Sequence, residues 1–349
     1  MKLFQKRPVP SAQKQVAILH ITDVAIRVYI SEKEKGIFRD VYIADVPTQD
    51  GVIRSGEIIS AKYVSNIVQY VGRSVRFSDV HLIVPNGKIM HTQYFGKLIN
   101  GDTSVLTKIA ENFLREREKN PKDYIAYYSA DQSGEIINIS MVAGDYYNSL
   151  VAFFSDLGIR VASIQTVHQA VGYSLQEFGP TFLWDIGYAY SELALLWMGE
   201  PIITKRVNFS AEKIMQIIQQ HLRVDEKEAR KIFAMYGISA GHRDEALFKK
   251  LSVATREVLQ GFAHFTSLWT IHPVYEQTRM PISNLFVAGP FSDTPGVLQF
   301  LTRAMRMQVN ILANSELMKH HLIRNDTITK RQLLHFLPMI SAMRFYQNL

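Results

Sequence analysis

Between Val16 and Val46 the apolar residues fall in dense runs, VAILHITDVAIRVYI and IFRDVYIADV, separated by short polar breaks. That pattern predicts strand, turn, strand, turn, strand. A second stretch of the same kind spans Thr181 to Phe209. Its first strand ends in Asp185, a tight turn falls at Gly187, and a strand covers Ser191 to Met198. A turn at Gly199-Glu200-Pro201 then leads to a strand over Ile202 to Asn208. Laid on one another, the two stretches place His20-Ile21-Thr22 on Asp185-Ile186-Gly187, which suggests two similar halves.

Elsewhere the spacing becomes helical. Ala61, Val64, Ile67, Val68 and Val71 mark a helix that Gly72 is placed to cap. VHLIVP over Val80 to Pro85 reads as a buried strand. Residues 103–118 predict an amphipathic helix with Val105, Ile109 and Phe113 on one face, and 124–130 and 136–143 predict paired strands. A helix follows over 145–158, with Leu150, Phe153, Phe154 and Leu157 inward and Gly158 ending it. A short strand at 161–165 and a helix at 166–178 complete this half. In the second half Ser210 suits the N-cap of a helix carrying Ile214, Ile217, Ile218 and Leu222, and Asp225 with Glu228 opens another. Leu247, Leu251, Val258, Phe262, Phe265 and Trp269 mark one long helix. A strand at 285–289 ends at Gly289, a turn over 290–296 precedes the helix VLQFLTRAMR, and 309–312 is a last strand. The tail, 330–349, is a helical pattern interrupted at Pro338, and residues 1–15 read as a flexible lead-in. Strands alternating with helices throughout make the class α/β with more than one sheet.

The chain has 349 residues and is 47% hydrophobic, enough for a large core divided among two or more domains. No charge-free apolar run approaches the ~18–20 residues of a membrane-spanning helix. The basic start, MKLFQKRPVPSAQKQ, lacks the apolar core and small-residue cleavage site of a signal peptide. There are no cysteines, which excludes disulfides and thiolate metal sites. The formal net charge of +7 is compatible with a solvated basic surface, an acidic partner or an anionic membrane surface; no nucleic-acid motif accompanies it. PNGKI at 85–89 has the Gly-Lys pair of a phosphate loop but not its spaced glycine or its Ser/Thr. HExxH, GxSxG and GxGxxG are absent, and the His320-His321 pair sits on a basic stretch that is a poor metal site.

Four marks in order carry a resemblance: Asp185-Ile186-Gly187, the strand–glycine Val287 to Gly289, Pro295-Gly296 opening the next helix, and the segment inserted between the halves. With VHLIVPNGKIMHTQYF and SLVAFFSDLGIRVASIQTVHQAV, they make residues 16–349 similar to the PilM family of actin-like proteins of type IV pilus assembly, relatives of FtsA and GspL. The resemblance implies an actin-like fold of two ribonuclease-H-like lobes with an inserted subdomain of the FtsA/PilM type, called 1C. Subdomain 1A would comprise 16–78, 165–180 and 326–349; 1C, 79–164; 2A, 181–210 and 280–325; and 2B, 211–279. It also implies a site for ATP and Mg²⁺ at Asp185, Gly187, Glu212 and Gly289.

This sequence departs from the family at each nucleotide-binding place. The first loop reads His20-Ile21-Thr22-Asp23, without the Mg²⁺-ordering carboxylate and with a β-branched residue where glycine lets phosphate approach. The second keeps Asp185 and Gly187 but continues with Tyr188, Ala189 and Tyr190. Pro290 replaces a second glycine after Gly289, and Ser210-Ala211-Glu212 keeps only the acid of a Gly-Gly-Glu. Together the departures point to weakened or lost ATP binding rather than an active ATPase. Each residue also has a structural reading. Asp185 can cap its turn, His20 can be a hydrogen-bonded core histidine, Tyr188 and Tyr190 can fill the vacated cleft, Glu212 suits a first helical turn, and Gly289 can serve turn geometry.

The function implied is a cytoplasmic scaffold peripheral to the inner membrane. It would grip the cytoplasmic tail of a PilN-like single-span protein in a groove between roughly 60–72 and 80–165, with other pilus or secretion platform proteins and self-assembly as further partners. The alternatives are a nucleotide-binding ATPase of the same superfamily and an FtsA-like membrane-tethered filament protein. For the last, Leu333, Leu337, Ile340 and Met343 with Lys330, Arg331 and Arg344 could form an amphipathic tether.

Overall fold

The computed structural model describes residues 2–4, 15–34, 37–49, 51–98, 102–130, 136–239, 244–312 and 330–347. The chain divides into two units, Met1–Tyr173 with Pro338–Leu349, and Ser174–Leu337.

In the first unit the elements run β1 (Lys2–Phe4), β2 (Gln15–Ile21), β3 (Ala25–Glu34), β4 (Ile37–Pro47), β5 (Ile53–Arg54), β6 (Glu57–Ile58) and α1 (Ala61–Ser74). They continue with β7 (Asp79–Val84), β8 (Ile89–Phe95), α2 (Ser104–Arg115), β9 (Tyr124–Ala130), β10 (Ile136–Ala143), α3 (Gly144–Asp156), β11 (Arg160–Thr166) and α4 (Val167–Gly172). One sheet has the order β11-β7-β2-β3-β4; β2, β3 and β4 are antiparallel, and β7 and β11 add in parallel. Ala17, Leu19, Val28 and Leu82 on its apolar face form a core with Val64 and Val68 of α1 and Leu150 and Phe154 of α3. The helix α3 ends where Gly158 takes a left-handed φ of +73° and Ile159 N–H bonds back to Phe154 O.

A separate four-stranded sheet, β1-β9-β10-β8, takes three strands from the insertion and one, β1, from the start of the chain. Ile137, Ile139 and Met141 pack beneath Leu106, Ala110 and Leu114 of α2, with Val105, Ile109 and Phe113 at the margin. The strands at 79–84 and 160–166, which bound the expected insertion of 79–164, pair into the first sheet. The insertion's own contribution to the separate sheet therefore starts at Ile89.

The second unit contains β12 (Thr181–Ile186), β13 (Ser191–Trp197), β14 (Glu200–Val207), α5 (Ala211–Leu222), α6 (Glu226–Tyr236) and α7 (Glu245–Thr270). After these come α8 (Pro273–Thr278), β15 (Asn284–Ala288), α9 (Val297–Ala304) and β16 (Gln308–Ile311). Its sheet order is β14-β13-β12-β15-β16. Each five-stranded sheet thus has an antiparallel trio followed by two parallel strands, the duplication anticipated from the repeated sequence frame. The long helix α7 lies close on β13: a Cβ at Gly261 would come within 2.4 Å of Leu193 Cδ1, and Phe262 meets Phe182 at 4.9 Å between ring centroids.

Four expectations are corrected. Lys2–Phe4 is not part of a flexible lead-in but pairs in parallel with Ile125–Tyr127. Gly72 does not cap α1, which runs on to Ser74. The helix expected over 166–178 stops at Gly172, short of the turns that lead to Pro180. The tail is one helix, α10 (Lys330–Gln347), that continues through Pro338. A proline inside a helix costs ~3 kcal/mol. Around it Leu333, Phe336, Leu337, Met339, Ile340 and Met343 are buried, at about 1.5–3 kcal/mol each. The four side chains proposed for a membrane tether are thus core residues.

Candidate functional site

Both strand–turn–strand loops can be followed atom by atom. In the first unit Thr22 uses its amide and its hydroxyl on one acceptor, Ala25 O, at 3.0 and 2.8 Å. The Ala25 amide returns a bond to the Thr22 hydroxyl at 3.1 Å. Asp23 is occupied too, its carboxylate accepting from the Gly56 amide at 3.1 Å and so holding the β5–β6 hairpin. His20 is buried.

In the second unit the turn after β12 closes through Gly187 N–H, which donates to Tyr190 O at 3.1 Å. A Cβ at 187 would lie 2.5 Å from that oxygen, so only glycine allows the closure. The helix α5 begins beside it. Ser210 Oγ accepts from Lys213 N–H, while Ala211 N–H donates to Gly187 O at 3.3 Å and Glu212 N–H to Tyr188 O at 2.9 Å. The first amides of a helix are a ready anion site; here two of them are taken by the loop's own carbonyls.

Gly289 adjoins the same corner. It follows β15, parallel to β12, with φ of +89°. A side chain there would meet Asp185 Oδ1 at 2.3 Å and Ile186 O at 2.6 Å. Asp185, Gly187, Glu212 and Gly289 are therefore gathered around the end of β12. The tyrosines of the loop are engaged: Tyr188 lies 6.1 Å from the Phe291 ring, and Tyr190 carries the Arg206 guanidinium 4.0 Å above its face. Close to Tyr188, Arg230 has its pKa raised, first by its hydrogen bond to Glu226 and then by the charges of Glu226 and Tyr188.

Three participants were not foreseen. Glu192 stands directly across from Asp185 on β13, and Arg206 stands across from Glu192 on β14. Arg206 Nε is 3.7 Å from Glu192 Oε1, and Glu192 is 7% exposed. Like charges side by side across a ladder are destabilising; Arg206 supplies a cation to the Glu192 member. Centring the antiparallel register on Tyr188-Ala189 would have found Glu192. Ser292, whose hydroxyl is buried without a hydrogen-bond partner among the described residues, lies in the turn after Gly289 and had no signal beyond its position.

The insertion presents a polar strip in the first unit. His91 Nδ1 lies 3.0 Å from Ser140 Oγ, which also accepts from Gln169 Nε2 of α4 at 3.2 Å. Gln93 donates to Asn138 at 2.6 Å. Asn86 Oδ1 accepts from the His168 amide at 2.8 Å. Thr166 and Gln169 bond reciprocally at the start of α4, fixing that helix to the strip. The His168 ring is fully buried, and its pKa is lowered to about 3 by burial and then by His91. His81, held by Ser163, is lowered to about 4, mainly by burial.

No family model matches the chain, and no curated protein does. Among solved structures, the chain matches one described as a PilM-PilN type IV pilus biogenesis complex with a TM-score of 0.69 and 12% identity. The match covers 95% of this chain and 97% of that one. In fold, the chain is PilM-like. MreB5 of Spiroplasma citri bound to ADP matches at a TM-score of 0.52 with 11% identity, over 94% and 98% of the two chains. MreB 5 of the same organism bound to AMPPNP matches at 0.50 with 9% identity, over 88% and 94%. PilM and MreB mark the architecture as actin-like; at these identities the likeness is one of fold. Among the described residues no group of three or more His, Asp or Glu side chains is placed to hold a metal ion, and no helix is long and apolar enough to cross a membrane.

Proposed function

We propose that this PilM-like chain is a docking scaffold of a type IV pilus or related secretion platform, and that it binds the cytoplasmic tail of a PilN-like single-span membrane protein without needing nucleotide. The observation that carries this reading is the PilM fold itself, matched along 95% of the chain to a PilM-PilN complex and including the inserted sheet. In the strip of His91, Gln93, Asn138 and Ser140, tied to α4 through Gln169, Gln93 Oε1 has no hydrogen-bond partner among the described residues and can accept from a tail. An extended tail presents backbone amides and carbonyls that such side chains can satisfy.

The loops favour a scaffold over an ATPase. Thr22 is closed on Ala25, Gly187 on Tyr190, and two amides of α5 on the second loop. Arg206 supplies a cation to Glu192, the neighbour of Asp185 across the ladder. Location at the inner membrane then comes from the partner.

Isothermal titration of a synthetic PilN-like tail tests the reading. Binding should be saturable, weakened roughly tenfold by Gln93→Ala with Asn138→Ala, and unaffected by Asp185→Ala. Absence of heat with the tail, combined with micromolar binding of fluorescent ATP and Mg²⁺ that Asp185→Ala abolishes, would reverse the choice.

A further inference from the structure

A second recognition surface lies at the other end of the first unit's parallel strands. β7 and β11 run side by side in the same direction, and the insertion and α4 follow their C-terminal ends at Val84 and Thr166. At their N-terminal ends, where α1 and α3 both finish, there is a concavity of about 460 Å³. That size lies within the ~300–1,000 Å³ range of ligand clefts. The strands separate it from the insertion by six or seven residues, about 20 Å of extended chain.

Its lining joins two kinds of surface. Val68, Phe77, Leu157 and Ile159 form an apolar floor, and Arg73 and Arg76 stand at the rim. Both arginines are exposed, and neither has a carboxylate partner among the described residues. Nearby Arg160 is already matched by Asp79 at 2.6 Å. Long cationic side chains can cover apolar surface while keeping the charge in water, and an apolar floor beside unpaired guanidiniums suits a side chain followed by carboxylates.

We propose that this concavity docks an acidic segment of a partner protein, with one aliphatic or aromatic side chain on the floor and flanking carboxylates on Arg73 and Arg76. The concavity, between 68–77 and 157–159, falls within the broad bounds expected for the tail groove but lies at the opposite end of β7 and β11 from the tail-binding strip. Charge decides the occupant. A second copy of a chain carrying +7 is electrostatically disfavoured, and this chain's own segment 5–14 carries Lys6, Arg7 and Lys14 with no acid. A concave floor matches a single side chain better than a flat lipid surface.

Gly72 provides a clean probe. It sits within α1, and a Cβ built on it meets nothing within 4 Å. Gly72→Trp can therefore fill the concavity without straining the backbone. The test uses the full chain and fluorescence anisotropy with three fluorescein-labelled peptides: Glu-Asp-Leu-Phe-Asp-Glu, the same core flanked by Lys and Arg, and an acidic peptide with Ser-Gly at its centre. The first should bind at least roughly tenfold more tightly than the others. It should weaken as salt rises from about 0.05 to about 0.3 M. Gly72→Trp, and separately Arg73→Glu with Arg76→Glu, should each reduce binding roughly tenfold or more. If Gly72→Trp fails to fold by circular dichroism, the exposed arginine reversal decides. An unlabelled PilN-like tail should not displace the probe. Displacement, equal binding of all three peptides, no binding of the acidic one, or variant-sensitive binding only to phosphatidylserine vesicles would each overturn the proposal.

Discussion

The two strand–turn–strand loops share a frame and differ in how they are closed. The first has His20 and Thr22 where the second has Asp185 and Gly187, and Thr22 turns its hydroxyl and amide inward on Ala25. The second keeps Asp185 and Gly187, yet its glycine amide is spent on Tyr190 O and its carboxylate lies against Gly289 and across from Glu192. The comparison shows that a motif residue can have a structural reason of its own. Gly187 and Gly289 are both required by close backbone approach alone, at 2.5 Å to Tyr190 O and 2.6 Å to Ile186 O.

The sharpest way to break that comparison is Gly289→Val. It places a β-branched side chain at φ +89° and into Asp185 and Ile186. Stability should fall by at least about 3 kcal/mol, seen as a lower midpoint in urea unfolding. A variant as stable as the parent would show that the corner is loose enough to admit a ligand.

Acid should act on the first unit. The His168 pKa is lowered to about 3 and that of His81 to about 4, against ~6.5 in an unfolded chain. Between these values the unfolded state binds more protons. The stability is therefore fully present above the unfolded pKa and is lost as pH falls toward the folded one. Going from pH 7 to pH 5 should cost about 2 kcal/mol per buried imidazole. Neither ring nitrogen of His168 has a hydrogen-bond partner among the described residues. His168→Met should therefore remove its share of the pH slope without loss of stability at pH 7. An unchanged slope in urea titrations at the two pH values would refute the assignment.

A smaller effect is expected from Arg206→Ala, about 1 kcal/mol because the guanidinium is half exposed. The loss should be partly recovered by adding Glu192→Gln, which removes the carboxylate repulsion. A double variant no better than the single one would mean that Arg206 acts through Tyr190 packing instead.

Much of the fold was legible because periodicity reports burial directly. Leu247 through Trp269 marked α7, and Ser210 capped α5 as its side chain predicts. What escaped depended on distant partners. No local pattern announces that Lys2–Phe4 will find Ile125–Tyr127, or that α10 will bury enough surface to tolerate Pro338. At the candidate site, Asp185, Gly187, Glu212 and Gly289 were found by motif. Glu192 and Arg206 required the strand register, and Arg73 with Arg76 looked like ordinary surface charge until α1 and α3 were seen to end together.

Recognition of the tail should not wait for nucleotide. Titrating the PilN-like tail into the full chain, with and without saturating Mg-ATP, tests it most directly. Saturable heat and the same dissociation constant are expected in both titrations; a tail that binds only with Mg-ATP present, or not at all, would overturn nucleotide-independent docking.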